Sequence, residues 1–110
     1  IMASPDIVTL TQENFDTEVK NSTSPVLVDF WATWCKPCVK SMPGLDKMFG
    51  RLKGRGFMVL GVSIDEDRKK VRPFLKKRPV SYAVVLDDSK EPSWAAFKVR
   101  SVPAMYLIGG

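Results

Sequence analysis

Histidine is absent from these 110 residues. That absence removes Ser-His-Asp triads, Cys-His nucleophilic pairs, haem ligation through imidazole and nearly every zinc site that one chain builds alone. Cysteine is almost as scarce. Cys35 and Cys38 are the only two, too few for a disulfide-stapled scaffold. No window approaches the roughly 18 apolar residues that a membrane helix requires, so no membrane span is expected in this chain. Ile1-Met2-Ala3-Ser4-Pro5 lacks the basic start and apolar core of a signal peptide. A chain that opens on isoleucine implies removal of something upstream, which leaves a lost export signal or anchor open. No basic stretch is interleaved with aromatics, so nucleic acid is not an expected partner.

What is present suits one globular domain over residues 1–110, with 45% apolar and 26% charged residues and enough length for a modest core. The net charge of +5 is uneven. Residues 1–35 hold one base, Lys20, against five acids, whereas residues 36–110 hold sixteen bases against seven acids. A basic surface steers acidic partners at low salt, but scattered lysines are first explained as solvated helix faces.

Along the chain, Ile7–Leu10 is a short β-favouring run. Thr11 suits the N-cap of a helix over Gln12–Asn21, with Leu10 and Phe15 as its hydrophobic staple and Phe15 and Val19 on one face. Ser22-Thr23-Ser24-Pro25 then breaks the chain direction. Val26–Trp31 is almost continuously apolar, which predicts a strand covered on both faces. One acid, Asp29, lies inside it. The helix that follows starts near Cys35. Its apolar positions Cys38, Met42, Leu45, Met48, Phe49 and Leu52 recur at three- and four-residue steps. Pro43 should kink it, and Gly54-Arg55-Gly56 ends it. Phe57–Ile64 and Tyr82–Leu86 predict further strands, with a short helix around Val71, Phe74 and Leu75 between them. Trp94 and Phe97 fit a small helix after Pro92, and Ala104–Ile108 is the last strand. Alternating strands and helices imply an α/β sheet with crossover connections.

Cys35 and Cys38 stand three apart at a predicted helix start. That spacing meets the roughly 4.4–6.8 Å Cα separation of a disulfide. A helix N-terminus carries about half a positive charge and unpaired N–H groups, which favour thiolate over thiol. In such sites the thiol pKa falls from ~8.5 to between ~3.5 and ~7.5. Cys35 at the helix mouth is therefore the candidate nucleophile, and Cys38, one turn in, the resolving thiol. Lys36 adds positive charge, and Pro37 fits a first turn whose N–H groups are unpaired anyway. Three other readings stay open: half of a zinc site completed by another chain, two inert core cysteines, or a peroxidatic cysteine. The Pro-x-x-x-Thr-x-x-Cys peroxidase pattern is missing, because Thr33 lies only two residues before Cys35. Asp29 is costly in a buried strand and should have a raised pKa. Six residues before Cys35, it is a candidate proton relay for Cys38, or else a structural acid bonded to backbone or water.

Val-Asp-Phe-Trp-Ala-x-Trp-Cys-x-Pro-Cys, as Val28–Cys38, resembles the active-site stretch of thioredoxin-fold disulfide oxidoreductases. Pro43 falls where that family kinks its active-site helix. Ser101-Val102-Pro103 is similar to its cis-proline loop, which faces the dithiol and binds extended substrate. The resemblance implies a cis Val102–Pro103 bond, with Trp34 and Val102 lining the substrate groove beside Pro103. It also implies a central mixed sheet flanked by helices, and a redox activity that needs no cofactor and no metal. Its expected partners are protein disulfide substrates and an upstream redox partner. The 37 residues between Asp65 and Pro103 exceed what a plain thioredoxin has there. They read as an added helix and strand similar to the TlpA/ResA-type proteins, which are usually extracytoplasmic reductants of the bacterial periplasm. Lys36 pushes the other way, toward the oxidising end. Only Ala104–Gly110 follow the cis-proline, where the family adds an antiparallel strand and a covering helix; this implies truncation, cover by another chain, or an exposed edge. Val62 stands where many thioredoxins place a lysine near the buried acid. A non-catalytic peptide-binding module and a thiol peroxidase are the alternative functions.

Overall fold

The computed structural model describes residues 8–10, 25–87, 93–96 and 99–108. The expected helix over Gln12–Asn21 with its cap and staple, the break at 22–24, and Asp88, Ser89, Pro92, Phe97 and the final glycines lie outside them. Five strands form one sheet: β1 (Val8–Leu10), β2 (Val26–Trp31), β3 (Met58–Ser63), β4 (Ala83–Asp87) and β5 (Ala104–Ile108). Their spatial order is β1-β4-β3-β2-β5. The first four run parallel, while β5 lies antiparallel to β2, with Val26 opposite Ile108 and Phe30 opposite Ala104. The sheet is therefore mixed. Its one reversed strand follows the Val102–Pro103 bond, which is cis.

β2 and β3 occupy the middle of the sheet, which explains their unbroken apolar runs. Side chains alternate between two covered faces. Val26, Val28, Phe30, Leu60, Val62, Ala83 and Val85 form one cluster. On the other face Trp31 packs with Ala32, Cys35, Cys38, Met42 and Val71, while Val59 and Tyr82 pack with Leu45 and Phe49. The second face is thus covered by α1 (Lys36–Leu52), whose buried residues are Cys38, Met42, Leu45 and Phe49. These are the apolar positions spaced for one helical face. α1 runs unbroken through Pro43 to a 3-10 turn over Lys53–Arg55. Gly56, at φ 84°, then takes the left-handed conformation that a side chain resists.

The segment between β3 and the cis-proline contributes a 3-10 turn (Arg68–Lys70), α2 (Val71–Lys77), β4 and a single-turn α3 (Ser93–Ala96). β4 sits between β1 and β3, so the added strand is inside the sheet and not at its edge. Pro73 falls in the first turn of α2, where no N–H is needed. The Asp67 side chain accepts from Lys69 N at 3.3 Å and caps the 3-10 turn. Arg68 ties β4 to the edge strand β1, donating to the Asp87 carbonyl at 2.8 Å and to Thr9 Oγ1 at 2.6 Å.

One expectation is overturned. Val62 belongs to the cluster on the face away from α1, so it does not face Asp29. Alternation along β3 puts Gly61 there, paired across from Asp29.

Candidate active site

The carboxyl end of β2 passes through Ala32 and a tight turn at Thr33-Trp34 into α1. Cys35 N donates to the Ala32 carbonyl at 3.1 Å. Cys35 is the N-cap of α1: its backbone is extended (φ −90°, ψ 102°) and its Sγ accepts from Cys38 N at 3.3 Å. Sulfur thereby occupies the place where a capping oxygen ordinarily accepts a free N–H of the first turn. Cys35 and Cys38 are joined as a disulfide, with Cα atoms 5.2 Å apart. Cys35 retains 5% of its exposure and Cys38 1%, so the first cysteine is the nearer to solvent. Lys36 and Pro37 are exposed on the same turn.

The turn before Cys35 is held by a residue that sequence reasoning missed. Asp65, just beyond β3, accepts from Thr33 N with both carboxylate oxygens (3.1 and 3.0 Å) and from Thr33 Oγ1 at 2.5 Å. Ser63 Oγ donates to it at 2.6 Å. This buried carboxylate clamps the β2–α1 connection to the end of the neighbouring strand. The only sequence signal was a Ser-x-Asp step leaving a strand, which does not reveal the partner 32 positions away.

Asp29 lies on the α1-covered face, alternating with Leu27 and Trp31, and has no exposed surface. Among the described residues neither carboxylate oxygen has a hydrogen-bond partner. Burial pushes its pKa up to about 7, so the acid titrates near neutrality. Tyr82, also missed from sequence, is buried within reach of the Asp29 charge. Its phenol pKa is raised by burial first, then by the charges of Asp29 and Asp46.

Val102 is half-buried and packs against the cluster that contains Cys35 and Cys38, which brings the cis-proline loop to the dithiol. Trp34, next to Cys35, is 66% exposed. It walls a cavity of about 770 Å³ whose lining includes Asp65, Asp67, Arg68, Asp87 and Trp94. Among the described residues no group of His, Cys, Asp and Glu is placed to hold a metal ion, and no helix is long and apolar enough to cross a membrane. A closed dithiol at a helix N-terminus, a buried acid on the strand feeding it and a cis-proline loop packed against it can together support thiol–disulfide exchange.

A thioredoxin-like family model matches residues 23–110. The thiol-disulfide oxidoreductase ResA of Bacillus subtilis (strain 168) is 32% identical over 83 residues, which cover 76% of this chain and 46% of that protein. A thioredoxin of Thiocapsa roseopersicina is 45% identical over 64 residues, 58% of this chain and 69% of that one. A solved structure assigned as thiol:disulfide interchange protein DsbE of Chlorobium tepidum superposes with a TM-score of 0.75 at 32% identity, covering 81% of this chain and 62% of that one. The chain spans about half the length of that ResA. The matched model takes in the dithiol, the buried acid and the cis-proline loop together, and on that ground the chain belongs to the thioredoxin-like family.

Proposed function

We propose that residues 1–110 act as one thioredoxin-like domain with thiol–disulfide oxidoreductase activity, reducing disulfides in partner proteins. The observation that carries this reading is the Cys35–Cys38 disulfide across the first turn of α1. In the dithiol form, Cys35 thiolate attacks one sulfur of a substrate disulfide. A mixed disulfide forms and one substrate thiolate leaves. Asp29 carboxylate takes the Cys38 proton, and Cys38 thiolate attacks Cys35 Sγ. The second substrate thiolate departs, leaving Cys35–Cys38 oxidised and Asp29 protonated. Two electrons have passed to the substrate, and solvent protonates its thiolates. The reaction needs no cofactor, and an upstream redox partner restores the dithiol.

Trp34 and the Val102–Pro103 loop are the proposed substrate contacts. The loop packs on the dithiol cluster and Trp34 stands exposed next to Cys35, so an extended peptide laid between them would present its disulfide to Cys35. Lys36 and Pro37 support the motif by charge and by a preset helical turn. The ResA and DsbE names of the relatives, with the resemblance to the TlpA/ResA group, support a reducing role outside the cytoplasm, in the bacterial periplasm.

Insulin reduction by dithiothreitol tests the activity. The protein should accelerate precipitation of the insulin B chain, and Cys35→Ser should abolish the acceleration. A wild-type rate equal to that of Cys35→Ser would sink the enzyme reading in favour of a peptide-binding module. Peroxide consumption that requires Cys35, without insulin reduction, would favour the peroxidase.

A further inference from the structure

Among the described residues, the buried side-chain groups left without a hydrogen-bond partner are the Asp29 carboxyl, Trp31 Nε1 and the Tyr82 hydroxyl. They converge on one place. Asp29 and Trp31 alternate onto the same face of β2, and Gly61 is the residue of β3 paired with Asp29. A Cβ at Gly61 would stand 3.1 Å from Tyr82 Cε1 and 3.2 Å from Trp31 Nε1. The absent side chain therefore makes room for the phenol ring and the indole abreast of the acid. Gly inside a strand marks this kind of close approach. Buried polar groups without partners are rare and costly. Such groups gathered at one locus imply a state of the protein in which they are used.

The proposed exchange supplies that state, and the inference rests on that reading of Asp29. Below about pH 7, Asp29 in the disulfide form holds the proton and is neutral. Before the Cys38 thiol can give up its proton and resolve the mixed disulfide, Asp29 must be a carboxylate in a site without exposed surface. A buried anion of this kind is tolerated only when hydrogen-bonded. We propose that Tyr82 is a positioning residue for Asp29: its phenol O–H, with the Trp31 indole N–H, donates to the carboxylate and holds it ready to accept the Cys38 proton. The donors reach the acid directly or through one bridging water. Tyr82 loses no proton in the step, and its raised pKa keeps it a donor throughout.

The surroundings leave the task to these donors. α1 brings the Cys38 thiol and the Asp46 carboxylate, and Asp46 is already engaged by Ser81 N at 2.8 Å and Ser81 Oγ at 2.7 Å. β3 and β5 oppose Asp29 with Gly61 and Met105, neither of which titrates. Burial is the resolved cause of the Asp29 shift, with no cation offsetting it.

The test is a carboxyl ¹³C titration of Asp29 in the reduced full chain. It is paired with the pH profile of mixed-disulfide resolution for wild type, Tyr82→Phe and Asp29→Asn. Tyr82→Phe keeps the ring in place and should move the Asp29 midpoint up by about 1 to 2 pH units, with a matching upward shift of the resolution profile. Incorporation of 3-fluorotyrosine at position 82, a stronger donor of nearly the same volume, should move both downward. This arm decides the matter if Tyr82→Phe does not fold. A Tyr82→Phe midpoint and profile that superimpose on wild type overturn the role of Tyr82, even if stability drops. If Asp29→Asn removes the pH-dependent limb in that case, the relay itself survives. An unchanged profile in Asp29→Asn overturns the relay and the role of Tyr82 together.

Discussion

Asp29 illustrates how the burial of a single residue ties stability to pH. Its pKa is raised from 3.8 to about 7 by burial, so between those values the folded protein keeps a proton that the unfolded chain has released. More protons on the folded state means that stability falls as pH rises. The Asp29 contribution is therefore fully present below about pH 4, is lost progressively up to about pH 7, and levels off above it. The shift corresponds to a loss on the order of 4 kcal/mol in the oxidised form. Asp29→Asn cannot ionise, so it should be more stable than wild type at pH 8 and close to it at pH 4. Urea midpoints of the oxidised proteins at the two pH values check this, and an equal offset at both would contradict it. The acid could be read from the sequence because one carboxylate interrupts Val26–Trp31. Its lack of a partner could not, because neighbours on β3 and α1 determine it.

At the scale of elements, the decisive contact is the joint between β2, β3 and the start of α1. The local pattern made the cap legible: β-favouring residues, then Cys-Lys-Pro-Cys, then an amphipathic run. The Asp65 clamp was not legible, because Thr33 and Asp65 meet only when β2 and β3 pair in register, with Trp31 beside Ser63. Truncation to Asp65→Ala would strip acceptors from Thr33 N, Thr33 Oγ1 and Ser63 Oγ. A buried donor left unsatisfied costs about 1–3 kcal/mol. The variant should lose stability in that range in urea titrations. It should also reduce insulin more slowly than wild type under conditions where both remain folded, because the turn presenting Cys35 is no longer held. Unchanged activity in the folded variant would show that α1 positions the dithiol without the clamp.

For the molecule as a whole, β5 is an edge of the sheet and leaves Leu107 64% and Met105 44% exposed. Both alternate onto the face that α1 covers farther in, whereas Ala104, Tyr106 and Ile108 pack into the opposite core. Among the described residues no strand pairs with the outer side of β5, and an apolar edge of this kind is a template for self-association. Leu107→Lys should lower concentration-dependent association of this 110-residue chain in sedimentation velocity. As a surface change it should alter monomer stability by less than about 0.5 kcal/mol. Association that persists undiminished would exclude the β5 face as its cause.

The sequence by itself determined the cysteine pair at the helix start and most of the strands. These depend on information carried within a few residues: a three-residue cysteine step, apolar runs long enough for a covered strand, and a helix-start pattern. The resemblance carried by the same residues pointed to the loop at Pro103. Only the tertiary structure decided that β4 enters the sheet between β1 and β3, and that Gly61 and not Val62 stands opposite Asp29. Only it decided that Asp65 holds the turn before Cys35 and that Tyr82 fills the space over Gly61. Each of these joins residues distant in the chain, and strand order and register bring them together. A one-residue step along a strand turns a side chain to the other face, so no local pattern could have chosen Tyr82 or Gly61 as a neighbour of the buried acid.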